Sequence, residues 1–234
     1  MAKKMFNCRT FLISITFLGA SIVSGCDLKV KPIEGGKEIA QEVERHKIKR
    51  LTQNDILKAA QKAGDSVVVV AQQELDARLQ EELQKGGVAA AMAYCQPENY
   101  EAVNALEEKF GATAQRTGTR LRNPANKAGG QAAAILAQYE KGALKEPQVV
   151  ALNNEELLYT SPIYIRNQNC LNCHGTIGQN IAAADYEKIK QKYPTDAATG
   201  YQTGELRGMW HITFRKKEFI AYLNDQPKKS RRRR

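Results

Sequence analysis

Apolar and polar residues recur with two different periods along the chain, and the change falls near residue 111. From about 53 to 85 the apolar positions Ile56, Leu57, Ala60 and Ala63, then Leu75, Leu79 and Leu83, keep a spacing of three to four residues. That spacing puts them on one face of an α-helix. The run Val67 to Val70 favours a strand by itself, but the following "AQQELDARLQEELQK" is strongly helix-forming. One long helix is therefore predicted, with Thr52 as its N-cap, Asp55 in its first turn and Gly86-Gly87 as its stop. A shorter helix, "VAAAMAYC", follows, and Pro97 begins another that runs to Phe110. Upstream, residues 38–50 are highly charged with few apolar positions, the pattern of an exposed helix.

After Gly111 strand-like runs and turn residues take over. "ATAQRTGTRLR" reads as a strand, "NPAN" as a turn, and "GGQAAAILAQYEKG" as a helix closed by Gly142. "PQVVALN" and "ELLYTSPIYI" are two further strands. Ala182 to Lys192 is a helix, Gly204 closes a turn, and "ELRGMWHITFRKK" is a final strand. Long N-terminal helices, then strands with a crossing helix, predict an α+β domain around one antiparallel sheet. No internal repeat is evident.

The two ends of the chain have a different character. Lys3, Lys4 and Arg9 precede the apolar run "FLISITFLGASIV", which has signal-peptide length and is short for a membrane span. It closes on Val23-Ser24-Gly25-Cys26, which resembles a bacterial lipobox with Cys26 as the lipidated residue. Residues 1–25 are thus expected to be a lipoprotein signal peptide. Residues 26–51 follow as a tether and charged helix, 52–225 as the domain, and 226–234 as a basic tail. The expected location is the periplasmic side of a membrane, held there through Cys26, with inner or outer membrane left open. The formal charge of +10 is concentrated at these ends, since "KKSRRRR" closes the chain. The region between is close to neutral and has no basic groove, which with export argues against a nucleic-acid partner. The tail reads as a solvated end, with binding to anionic lipid head groups as its alternative.

Candidate chemistry sits at "NQNCLNCHG", residues 167–175. Cys170, Cys173 and His174 form a Cys-x-x-Cys-His signature, the attachment pattern of a c-type haem. Each thiol can form a thioether to one vinyl group, and the histidine becomes an axial ligand of the iron. A zinc site would want a second Cys/His pair, and a thioredoxin-type pair would want a βαβ context; neither is present. One covalent haem c is the expected cofactor. Of five cysteines, Cys8 lies in the signal, Cys26 would carry lipid, and Cys170 and Cys173 would carry haem. Cys95 remains, either as a small buried hydrophobe or as an iron ligand.

The stretch "AQRTGTRLRNPAN" with "LLYTSPIYIRNQNCLNCHG" resembles a bacterial haem-c-binding domain of unknown function with a PAS-like fold. That domain is found in exported cyanobacterial c-type cytochromes and in periplasmic input regions of sensor kinases. The likeness falls on Cys95, on Arg116 to Asn126, on Tyr159 to His174 and on Arg207 to Phe214, spanning about residues 52–217. It implies a PAS-like antiparallel sheet and a cysteine thiolate as second axial ligand, here Cys95. The chain departs from the pattern at Met209-Trp210-His211, where the family shows apolar or small residues. His211, Met92, Met209 and an open face therefore stay as alternatives to Cys95, while His46 lies in the charged N-terminal stretch.

Haem propionates want fixed cations, and arginine suits carboxylates. Arg116, Arg120 and Arg122 share parity on the predicted strand, so all three are expected to project from one face. Arg166 is a further candidate, and Trp210 and Tyr164 are candidates to pack on the porphyrin. Thiolate ligation suits a redox or gas sensor module working through a redox or signalling protein partner. His/His or His/Met ligation suits an electron-transfer cytochrome. No acid/base constellation near Cys170 suggests an enzyme.

Overall fold

The computed structural model of the chain describes residues 34–46 and 51–226. The expected signal peptide, the lipidation site Cys26 and the basic tail from residue 227 lie outside the described residues. The described part is α+β, with seven α-helices and one four-stranded antiparallel sheet. A short exposed helix, α1 (Gly36–His46), precedes the long α2 (Gln53–Ala91). Thr52 caps α2 through a reciprocal pair of hydrogen bonds with Asp55, so the predicted start holds. The predicted stop does not hold fully. Gly86 and Gly87 leave helical geometry, Gly87 with φ of 64°, but they kink the helix, which resumes to Ala91. The expected "VAAAMAYC" helix is this last turn of α2 plus a 3-10 turn at Met92–Tyr94.

Helix α3 (Glu101–Phe110) ends on Gly111 in the left-handed region and feeds strand β1 (Ala112–Thr117). A 3-10 turn at Pro124–Asn126, capped by the Asn123 side chain, leads to α4 (Gly130–Glu140). Strands β2 (Gln148–Ala151) and β3 (Glu156–Tyr164) form a hairpin. Then come α5 (Gln168–His174), α6 (Ala183–Lys192), β4 (Leu206–Arg215) and α7 (Lys216–Asp225). The sheet order is β1-β4-β3-β2, so the last strand is central and ties both ends of the domain together. Helix α7 was not foreseen from the sequence. Phe219 and Tyr222 pack against Phe110, with ring centroids 6.4 and 5.0 Å away.

Pleating sorts β4 into two faces. Trp210, Ile212 and Phe214 join Leu157 and Tyr159 of β3 against α2. Met209 faces the other way, with Leu158, onto Ile135, Leu136 and Tyr139 of α4. Ile56, Ala60, Ala63, Val67 and Ala71 are the α2 positions consumed by the sheet, and Gly64 lies directly over the Tyr159 ring. The leucines Leu75, Leu79 and Leu83 continue that stripe and line a cleft, Leu75 also packing against the core.

Candidate functional site

Leu75, Leu79 and Leu83 form one wall of an open-sided cleft of roughly 1300 Å³, solvent at its mouth included. Cys95, Cys170, Cys173 and His174 all line it. Helix α5 carries three of them, and local sequence makes that helix. The Asn167 side chain accepts from the Cys170 N–H at 3.3 Å as its N-cap, and the Gly175 N–H closes on the Leu171 carbonyl at 2.8 Å. The helical turn places Cys170 and Cys173 on one face. All three described cysteines are free thiols.

His174 is held by a neighbouring loop. Its Nδ1 lies 2.7 Å from the Ala198 carbonyl oxygen, so Nδ1–H donates and Nε2 is left as the free nitrogen. Burial lowers its pKa well below the ordinary histidine value, with Arg207, Arg122 and Arg116 adding to the effect. The imidazole is therefore neutral, the form that ligates a metal, and its Nδ1–H is held by a backbone carbonyl as in many metal-binding histidines. The loop is itself fixed. Asp196 accepts from the Ala198 N–H and from Arg122 Nε, both at 3.0 Å, and Arg122 Nη2 donates to the Cys173 carbonyl at 2.5 Å.

Cys95 reaches the cleft from another direction, just past the kink and 3-10 turn that end α2. Arg116 Nη2 donates to its carbonyl at 2.6 Å while Nε pairs with Glu98 at 2.7 Å. The Tyr100 hydroxyl donates to the Tyr94 carbonyl and pins the same segment. Burial raises the Cys95 thiol pKa, opposed by Arg116, Arg122 and Lys192. The Cys173 thiol is pushed up to about 12, chiefly by burial. Met92 also lines the cleft and packs with Cys173 and Ile189.

The expected arginine face is not built as predicted. Strand β1 ends at Thr117, because the chain breaks away through Gly118, and only Arg116 lies on it. Arg120 is no part of the cleft wall; its guanidinium sits 3.8 Å from the centroid of Tyr201. Arg122 is in the wall but occupied by Asp196. Arg166 is at the wall, exposed and paired with Asp76 at 2.9 Å. Trp210 and Tyr164 both line the cleft, Trp210 buried beneath Arg116 at 5.7 Å. His211 lies on the opposite face of the sheet, paired in register with Gln115 and Thr160, and its Nε2 is 2.7 Å from Gln115 Oε1.

Sequence reasoning missed three participants. Ala198 acts through a backbone carbonyl, which leaves no trace in side-chain identity. Asp196 lies in a loop with no motif. Arg207, at the start of the final strand, lines the cleft, and its Nε is buried without a hydrogen-bond partner. Among the described residues no group of three His, Cys, Asp or Glu converges as a metal cage. What the cleft presents is a pair of thiols and a neutral imidazole from one helix, a further thiol from a separate segment, and apolar walls. That donor set fits a flat macrocycle fastened at one side and ligated along its axis.

No curated protein matches the chain. The family model described as Tll0287-like, Tll0287, matches residues 41–215. Among solved structures, the chain is similar to the one titled as the crystal structure of the cyanobacterial haem-protein Tll0287. The identity is 22%, the match covers 63% of this chain and 92% of that one, and the TM-score is 0.45.

Proposed function

The chain belongs to the Tll0287-like family, and from that premise we propose that it is a haem-binding, cytochrome-like protein carrying one covalent haem c. The observation that carries the reading is the convergence of Cys95, Cys170, Cys173 and His174 on one cleft. Cys170 and Cys173 would hold the porphyrin by thioethers. His174 would ligate one face of the iron through Nε2, its other nitrogen being engaged by Ala198. Cys95 would supply Sγ on the opposite face. The haem would contribute reversible one-electron chemistry, and the chain contributes ligation, orientation and exclusion of water by the leucine wall.

His/Cys ligation favours a redox or gas sensor module over an electron carrier, because thiolate donation lowers the reduction potential. Such a module is not an enzyme and works through a redox or signalling protein partner. Anchoring by a lipidated Cys26 on the periplasmic side of a membrane completes the proposal; Cys26→Ser should then lose labelled fatty acid. Electron transfer with His/Met ligation is the second reading, favoured by the presence of Met92 in the same cleft. A His/His pair with His211 finds no support in its placement on the far face of the sheet.

Low-temperature EPR of the oxidised protein tests the ligand set. Cys95→Ser should alter the low-spin signal and the Soret band and raise the potential, while His211→Ala should leave all three unchanged. An unchanged spectrum in Cys95→Ser removes the sensor reading in this form. Haem-stained denaturing gels test attachment: a Cys170→Ala/Cys173→Ala variant that still stains ends the c-type reading.

A further inference from the structure

Four arginines line the cleft: Arg116, Arg122, Arg166 and Arg207. Three of them carry their own carboxylate, from Glu98, Asp196 and Asp76 respectively. Arg207 does not. Among the described residues its Nη1 donates to the Arg120 carbonyl at 3.1 Å. Its guanidinium is 5.6 Å from the Tyr201 ring centroid, but Arg120 already covers that ring. Nε has no contact with solvent and no acceptor. The backbone beside it is closely packed. A Cβ on Gly208 would fall 2.0 Å from the Thr117 carbonyl oxygen, and one on Gly118 would fall 2.8 Å from that of Arg207.

A guanidinium whose Nε is held out of solvent without an acceptor is unfavourable unless a bound anion completes it. Burial lowers the Arg207 pKa to about 10, with Arg122 and Arg116 adding to the effect and Tyr201 and Asp196 opposing it, yet the group stays charged at neutral pH. Its position beside His174 on the cleft wall sets the chemistry of the missing anion. It must be carried by whatever occupies the cleft, and the planar fork of a carboxylate matches a guanidinium edge.

We propose that Arg207 binds a carboxylate of the occupant, one propionate of the haem, with Nε as a donor. This rests on the haem reading above and replaces the expectation that Arg120 and Arg122 serve that role. Arg120 is turned onto Tyr201, and Arg122 is spent on Asp196 and the Cys173 carbonyl. The anchor would lie at the opposite end of the macrocycle from the thioethers and so fix its rotation in the cleft.

The test is the pH dependence of the midpoint potential of the holoprotein, read with infrared redox difference spectra on haem labelled at its propionate carboxyls. In the parent, one of the two propionates should stay ionised below the usual carboxylate range, while the other titrates normally. Replacement of the cation by Arg207→Gln or Arg207→Met should raise the titration of the anchored propionate by about one to three pH units. Arg120→Gln should leave it in place. Two propionates that titrate together as free carboxylic acids in the parent overturn the proposal, whether or not the variants fold. So does a variant profile that superimposes on the parent. Either result leaves covalent haem intact on a denaturing gel, whereas failure of the haem reading itself would show as no staining in the parent.

Discussion

The Nδ1 atom of His174 and the carbonyl oxygen of Ala198 lie 2.7 Å apart across 24 residues of chain. That contact selects the tautomer that leaves Nε2 free. It depends on a loop that backbone hydrogen bonds tie to Leu121 and to His174 at the end of α5, and that a buried ion pair braces. Asp196 has no exposed side-chain surface and joins Arg122, which in turn reaches the carbonyls of Cys173 and Ala198.

Asp196→Ala should therefore cost about 3–5 kcal/mol, because it leaves Arg122 charged, buried and unpaired. Arg122→Met on top of it should recover part of that loss, since the orphaned charge goes too. Urea unfolding of parent, both single variants and the double variant closes the cycle. A double variant no more stable than Asp196→Ala would show that the ion pair is not what holds the loop.

Much of this site was legible in the sequence, and the part that was not has a physical cause. The two cysteines of the motif and the adjacent histidine are fixed by local spacing, which a single helical turn, α5, converts directly into geometry. Cys95 was reachable by counting cysteines. The arginines were misjudged because parity is informative only while a strand lasts, and β1 stops at Thr117, before Arg120 and Arg122. Their final contacts, with Tyr201 and Asp196, are set by a loop that returns from much later in the chain. Arg207 was passed over because its significance is a missing partner, and absence of a partner is a tertiary fact. The fold class was readable from the change of period. The run from Val67 to Val70 went to helix because its flanks outweighed β-branching, and Val67 is fully buried on the α2 seam. Helix α7 escaped because its short apolar pattern follows the last strand without a turn signal.

The crossing of α2 over the sheet offers a sharp packing test. A Cβ at Gly64 would fall 2.4 Å from the Tyr159 ring, which is 1% exposed and has no room to retreat. The Tyr159 hydroxyl also donates to Asp65 at 2.8 Å, so helix and strand are tied at that spot. Gly64→Ala gains helix propensity of up to about 1 kcal/mol, but overpacking of about 1–3 kcal/mol should outweigh it. The expected result is a lower urea midpoint with an unchanged slope. A midpoint equal to or above that of the parent would mean that α2 rides further from β3 than its contacts indicate.

His211 supplies the test on the far face of the sheet. It is half-buried, with Nε2 beside Gln115 Oε1 and Nδ1 buried without a partner, and burial lowers its pKa below the ordinary 6.5. In the unfolded chain this imidazole takes up a proton as pH falls through about 6.5; in the fold it resists. Below that point the unfolded state binds more protons, so stability must fall with decreasing pH. The contribution is fully present above 6.5 and is lost as pH drops towards the lowered folded value. His211→Gln removes the titrating group and keeps an amide that can pair with Gln115. Its unfolding free energy should match the parent in slope above neutrality and fall less steeply below about pH 6.5. The Soret band of the holoprotein should not change, since His211 faces away from the cleft. Parallel stability curves from pH 8 to pH 5 would show that His211 protonates equally in both states, and a shifted Soret band would bring it back as an iron ligand.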